Sequence, residues 1–425
     1  MKKLNTSGIK LSEKLKLNFS QSEIAISAKF IKKFGLKIPI IINAENEVVV
    51  GENLFLASQK LKLKEVSIVY IENLSKKELK AFKIASKRIL SFGEFDADEL
   101  KFELKDLLLD VDFNYDCEEL GFTSIEFDNL LFVDEIQETK EKEEKLEFSN
   151  IKEVVKYGDI IQLGKHKLLC GDSLNPKTYE ALMGENRADI IISDPPYNVK
   201  IQGNVTSRNC HNEFQNASGE MSEIEFQNFL STAFVLAKDF SKDNSLHYVF
   251  MDWRHSLDLQ LAFKDIYPKL LNICIWDKTK AGMGSFYRSQ HEFCFIYQNG
   301  NGGYSNNIQL GKNGRNRSNI WQYQGMNLST KQANKLGKLH PTVKSTAMVA
   351  DIILDTTKQG DLILDNFGGS GTTLIAAEQT NRVANLIEIS PHYCNVIIHR
   401  WEELTGLKHT RIGEVKYGKK EEKQQ

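Results

Sequence analysis

Ala188-Asp189-Ile190-Ile191-Ile192-Ser193-Asp194-Pro195-Pro196-Tyr197 joins a short, β-branched, non-periodic apolar run to a carboxylate, two prolines and an aromatic ring. Such a run predicts a strand buried on both faces in a parallel sheet. The C-terminal end of that strand is where open α/β sheets bind ligands. Two consecutive prolines fix φ twice and exclude a helix, so the loop is stiff. A stiff loop offering one acceptor and one flat ring suits a planar nitrogenous base. The carboxylate accepts from an exocyclic amino group, and the ring stacks on the face of the base. The bland alternative is a strand followed by a proline-rich turn.

A second strand-turn-helix unit lies downstream: Leu362-Ile363-Leu364, then Asp365-Asn366-Phe367-Gly368-Gly369-Ser370-Gly371-Thr372-Thr373, then Leu374-Ile375-Ala376-Ala377. Its glycines allow close backbone approach to a ligand, and the helix start offers free N–H donors. No lysine follows Gly371, which argues against a nucleotide-hydrolysing P-loop, and Leu374 stands where a dinucleotide fingerprint needs its third glycine. The next strand, Ala384 to Ile387, ends at Glu388, placed to accept from ribose hydroxyls. Taken alone, that glutamate also reads as an ordinary surface acid.

Asp194-Pro195-Pro196-Tyr197 resembles the catalytic motif of DNA methyltransferases that methylate adenine N6 or cytosine N4, and the Asp365–Thr373 loop is similar to their S-adenosylmethionine motif. The resemblance covers roughly Ile151 to Gly406. It implies that Asp365 binds the methionine ammonium, that Phe367 packs beside the cofactor, and that Gly369, Ser370, Gly371 and Thr372 line it. His340-Pro341-Thr342-Val343-Lys344 resembles a segment enclosing the methionine end, which adds His340, Thr342 and Lys344 to the cofactor set. Leu168 to Ser173 resembles a strand whose aspartate, Asp172, faces the cofactor's adenine. Phe286 to Glu292 is similar to a segment near the flipped base. The order (catalytic motif, basic segment, cofactor loop) is the circularly permuted β-group arrangement, and the helix from Pro391 to Gly406 resembles the end of phage and prophage adenine methyltransferases. Serine is commoner than aspartate at the first motif position of N4 enzymes, so Asp194 favours adenine.

The expected fold is therefore α/β, a Rossmann-like methyltransferase sheet, preceded by a small α+β domain. Residues 1–133 resemble a ParB/sulfiredoxin-type module, in Phe34-Gly35 with the Pro39 strand, in Val50-Gly51 leading to a helix, and in Leu120-Gly121-Phe122. That module's G-x-x-R box would put arginine at 54, where this chain has Leu54, so a positioning or auxiliary DNA-contact role is expected there. Residues 134–150 hold seven acids and three lysines and read as an acidic linker, a tether or an exposed helix. The methyltransferase domain is expected over 151–415, with target recognition at about 300–335 and a disordered tail at 416–425.

At 425 residues, with 41% hydrophobic and 26% charged content, the chain has the composition of a soluble multidomain protein. No apolar run approaches the ~18 residues of a membrane span. No secretory signal is seen, and scattered cysteines without a C-x-x-C pair suit a reducing bacterial or phage-infected cytoplasm. His291-Glu292 lacks a second histidine, so no metal is expected.

The net charge is −2, yet Lys278 to Lys344 holds ten Lys and Arg against one acid, Glu292. Arg288, Lys312, Arg315 and Arg317 are the candidate DNA contacts, against the alternative of a solvated, lysine-rich surface loop. Double-stranded DNA is the expected partner, and a homodimer is compatible with it. The competing functions are cytosine-N4 methylation, a non-catalytic DNA-binding or partition-like protein, and a dinucleotide oxidoreductase.

Overall fold

The computed structural model describes residues 2–11, 19–90, 97–109, 116–141, 151, 153–199, 219–279, 286–308, 315–324 and 344–417. The chain divides into two compact units, Met1–Leu131 and Phe132–Gln425.

The first unit is built on a five-stranded sheet of order β1-β5-β3-β4-β2, with β1 at Lys2–Asn5, β2 at Lys10–Leu11, β3 at Ile40–Ile42, β4 at Glu47–Val50 and β5 at Glu65–Tyr70. Helix α1, Gln21–Phe34, starts at a Ser20/Glu23 capping box and ends at Gly35, whose φ of 74° closes the last turn. Helix α2, Glu52–Lys60, packs on α1 and follows Gly51, also left-handed. At the start of α2, Glu52 is buried and pairs with Lys83 at 3.0 Å, so its charge is met within the unit. Helices α3 (Lys76–Ile89), α4 (Ala97–Leu109) and α5 (Ser124–Glu141) follow. Helix α5 thus runs into the stretch expected to be linker, of which 142–150 lie outside the described residues.

The second unit holds a ten-stranded sheet, β12-β10-β11-β9-β8-β13-β14-β7-β6-β15. Its centre is parallel: β9 (Ser241–Met251), β8 (Ala188–Ser193), β13 (Leu362–Asp365), β14 (Val383–Glu388) and β7 (His166–Cys170). The flanks are β6 (Asp159–Leu163) and β15 (Thr410–Glu414) on one side. On the other are β11 (His291–Gln298), antiparallel to β9, then β10 (Lys269–Asp277) and β12 (Ile320–Gln322).

Strand β8 is apolar throughout because it is covered twice. Ile190 and Ile192 belong to one core with α9 (Thr346–Thr356), α10 (Thr372–Gln379) and α11 (Pro391–Thr405). Ile191 belongs to the opposite core with α6 (Pro176–Met183), α7 (Glu223–Asp239) and α8 (Ser256–Phe263). The same alternation splits Ile363 from Leu364 and Leu386 from Ile387. A three-layer α/β sandwich results, in which non-periodic strands are the expected signature.

From β8 the chain crosses through α7 to β9, and from β13 it crosses through α10 to β14, on the other side. Neighbouring strands whose connections depart in opposite directions make a crevice at their C-terminal ends. Asp194 and Asp365 both sit there.

Candidate active site

Asp194 follows the last residue of β8, and its side chain is 22% exposed, so an incoming base edge can reach it. The Tyr197 hydroxyl donates to Asp194 Oδ1, folding the ring back over the carboxylate. Pro195 is buried, and Asn198, at φ 54°, ends the stiff turn. The Asn198 side chain accepts from Gly219 N at 3.0 Å and donates to the Met221 carbonyl at 2.8 Å. Gly219 and Met221 are thereby held beside the acceptor turn.

The two loops are joined beneath the surface. Ser193 Oγ donates to Asn366 Oδ1 at 2.7 Å, Ser173 Oγ donates to the Asn366 carbonyl, and Asn366 Nδ2 donates to Tyr179 OH at 3.3 Å. Asn366 is fully buried, so this polar bridge fixes the spacing between the acceptor loop and the glycine loop.

In the glycine loop, Asp365 Oδ1 accepts from Phe367 N at 3.0 Å. Phe367 turns its ring toward Phe229 and Phe234, at 5.8 and 6.5 Å between centroids. Gly371 is left-handed at φ 81°, and a Cβ there would lie 2.8 Å from Ile397 of α11. Its role is helix approach as much as ligand approach. Arg400 on α11, which sequence reading passed over, donates to the Ser370 carbonyl at 2.7 Å and braces the loop from below. At the end of β14, Glu388 accepts from Gly369 N at 2.7 Å and Ser390 N at 2.8 Å. Asp172 follows β7, accepting from Leu174 N at 2.9 Å.

Burial raises Asp365 and Glu388, each to about 7, and pushes Asp172 upward too. Among the described residues none of the three belongs to an ion pair. Three acidic groups along neighbouring strand ends therefore wait for partners that are cationic or rich in donors. An ammonium, a ribose diol and an adenine amino group, carried on one molecule, supply donors that fit these three acceptors. The stability these raised groups contribute at low pH is lost as pH rises through about 7, unless a cation arrives.

An ammonium favours ionised Asp365, so binding near pH 7 expels protons. S-adenosylmethionine affinity should fall by about tenfold for each pH unit below the Asp365 midpoint. Calorimetry in two buffers of different ionisation enthalpy checks this: proton release is expected, and pH-independent affinity would refute the contact.

Lys344 lies with the other loop. Its ammonium contacts Asp194 Oδ2 at 2.8 Å, Glu292 Oε2 at 2.7 Å and Tyr197 OH at 2.9 Å. Lys344, expected in the cofactor set, thus has its donors directed to the acceptor turn in this structure. His340 and Thr342 lie outside the described residues, as does Lys312.

Two candidate DNA contacts are also corrected. Arg315 is buried, pairing with Asp351 at 2.9 Å and Asp355 at 2.8 Å, while Arg317 pairs with Asp351 at 3.0 Å. Both acids lie on α9, just past the basic stretch Lys278–Lys344, so these guanidinium groups staple 315–324 to that helix. Lys278 and Lys344 are likewise paired, both with Glu292 and Lys344 also with Asp194. Arg288 remains on the surface, after the aromatic pair Phe286 and Tyr287, each 85% exposed. The end of β10 and the start of β11, which flank this stretch, lie at the same end of the sheet as Asp194.

Among the described residues no group of His, Cys, Asp and Glu could hold a metal ion, and no helix is long and apolar enough to cross a membrane.

Residues 188–399 match the family model of N6/N4 DNA methylases. The chain is 26% identical over 250 residues to the type II methyltransferase M.HpaI of Haemophilus parainfluenzae, spanning 55% of this chain and 73% of that protein. It is 28% identical over 232 residues to M2.MboI of Moraxella bovis, spanning 52% and 83%. Among solved structures, an S-adenosylmethionine complex of M1.HpyAVI aligns with a TM-score of 0.40 at 18% identity, over 55% of this chain and 97% of that one. The cytosine-N4-specific PvuII DNA methyltransferase aligns with a TM-score of 0.45 at 16% identity, over 59% and 94%. ParB of Caulobacter crescentus, complexed with CTP-γ-S, aligns with a TM-score of 0.27 at 18% identity, over 32% and 82%. The stretch that matches the N6/N4 DNA methylase family, residues 188–399, carries both the acceptor turn and the glycine loop.

Proposed function

We propose that the chain methylates adenine N6 in double-stranded DNA, acting on a base rotated out of the helix. The observation that carries this reading is the half-buried Asp194 carboxylate, recessed at the end of β8 and bridged through Ser193 and Asn366 to the glycine loop. The amino group of a stacked base is out of reach of a recessed acceptor, so extrusion is required, at a cost of roughly a few kcal/mol.

Tyr197 stacks on the extruded ring, exchanging its present hydroxyl contact for the base. Asp194 and the Pro195 carbonyl accept the two amino hydrogens, which draws the nitrogen lone pair out of conjugation and aims it at the glycine loop. Asp365 would hold the methionine ammonium, Glu388 the ribose hydroxyls and Asp172 the adenine edge of S-adenosylmethionine. That cofactor supplies an electrophilic methyl whose carbon–sulfur bond breaks, leaving the electron pair on sulfur as the carbon–nitrogen bond forms. The excess proton on the amino nitrogen departs by way of Asp194 to solvent. Catalysis is thus positioning and electrostatics, with no covalent enzyme intermediate.

A carboxylate in the first motif position is the feature favouring adenine over cytosine N4. The exposed Phe286-Tyr287-Arg288 loop is the DNA-facing element proposed from the described residues. Residues 1–133 are proposed to be a ParB-like module that positions or assists DNA contact; with Glu52 tied to Lys83 and leucine at 54, phosphate chemistry is not assigned to it. Modification-sensitive sequencing of DNA from cells expressing the protein tests the function. N6-methyladenine at a recurring site supports it; N4-methylcytosine at such a site, or unmodified DNA, overturns it.

A further inference from the structure

We propose that Lys344, itself anchored by Glu292, is the positioning residue that holds the Asp194 carboxylate ionised and aimed at the target amino group. The idea rests on the methylase reading only for the identity of what Asp194 contacts.

The three donors of the Lys344 ammonium point to Asp194, Glu292 and Tyr197, at 2.8, 2.7 and 2.9 Å. The rings of Phe250, Tyr197 and Trp276 enclose it, at 4.9, 5.4 and 5.5 Å. Lys344 and Glu292 are 7% and 5% exposed, against 22% for Asp194, so only the last can meet a base. The supports stand on rigid elements. Glu292 lies in β11 and is paired across the sheet with Trp276 of β10. Lys344 directly precedes Ser345, the cap of buried helix α9, which Arg315 and Arg317 staple in place.

The charge balance explains the need for such a residue. Asp194 and Glu292 are two acids in one partly closed site, with Asp252 near Tyr197 and Asp365 across the crevice adding negative charge. Among the described residues Lys344 and Lys278 are the cations on Asp194 and Glu292, Lys278 serving the far oxygen of Glu292, while Arg254 answers Asp252 at 3.1 Å. Burial outweighs the ammonium at Asp194 and raises it. Glu292, which burial would also raise, is held low by Lys344 and Lys278. Removing Lys344 leaves Asp194 without a cation while Glu292 keeps Lys278. Asp194 then takes up a proton and presents a donor where an acceptor is required.

The test compares Lys344→Met, Lys344→Arg and Glu292→Gln with the full-length wild type. Lys344→Met should move the acid limb of the pH–kcat profile upward by about 1–3 pH units, and Lys344→Arg should restore it most of the way. Glu292→Gln should move it downward, because a repelling charge is gone and Lys344 is no longer shared. Opposite shifts from two buried substitutions are not a signature of general unfolding.

Carbon-13 NMR titration of labelled aspartate carboxyls reads the same group without turnover, with the Asp194 signal assigned by its loss in Asp194→Asn. The Asp194 midpoint should rise in Lys344→Met even if the wild type methylates no DNA, an outcome that would sink only the methylase reading. An unchanged midpoint, or a loss of activity uniform in pH with a raised KM for S-adenosylmethionine, overturns the positioning role in favour of a cofactor contact.

Discussion

Asp194→Ala is expected to lower methyl transfer by about 10³-fold or more while leaving S-adenosylmethionine affinity almost unchanged. The magnitude follows from what is removed. Without the carboxylate, the amino nitrogen keeps its lone pair in conjugation and loses the contact that aims it. Losing one preorganised polar contact at a reacting centre costs about 10²–10³-fold, and misplacement of the nucleophile adds to this. Affinity for the cofactor is spared because its proposed ligands, Asp365, Glu388 and Asp172, stand on other strand ends and keep their own backbone donors. Single-turnover methylation paired with calorimetry reads both numbers. Retained turnover would remove Asp194 from the chemistry.

The second large effect is on stability. Asp355 pairs with Arg317 at 2.6 Å as well as with Arg315, so Asp355→Ala leaves both guanidinium groups in the interior with Asp351 as their remaining carboxylate. Removing one partner of a buried ion pair costs about 3–5 kcal/mol. Urea unfolding of the second unit should show that loss, whereas the salt dependence of DNA binding should keep its slope. Arg288→Ala should do the reverse, leaving stability alone and lowering the salt slope by about one. A flattened slope in Asp355→Ala with stability intact would return Arg315 and Arg317 to the DNA surface.

Those two arginines show where sequence reading stops. A local count of cations registers type and spacing but not direction, and the neutralising acids, Asp351 and Asp355, lie on a helix outside the counted stretch. Strand β8 was legible because burial on both faces leaves a continuous β-branched run, and the acceptor turn was legible because consecutive prolines permit few other structures. The glycine loop was legible from its missing P-loop lysine and missing third dinucleotide glycine.

Lys344 was visible as a residue, but its contacts with Asp194 and Glu292 were not, since a local motif says nothing about where a four-carbon stem ends. Glu292 and Lys278 become a pair only through the antiparallel register of β10 and β11. Arg400 meets Ser370 across 30 positions, and Ser193 meets Asn366 across 173, contacts that no local pattern encodes. Strands β1 and β2 escaped notice because they are short, mostly exposed and lysine-bearing, as edge strands often are.

The most direct measurement is nucleoside mass spectrometry of unmethylated plasmid DNA incubated with the purified full-length protein and methyl-labelled S-adenosylmethionine. Labelled N6-methyladenine, absent when Asp194→Ala replaces the wild type, is the predicted product. Labelled N4-methylcytosine, or no labelled nucleoside at all, would contradict the account.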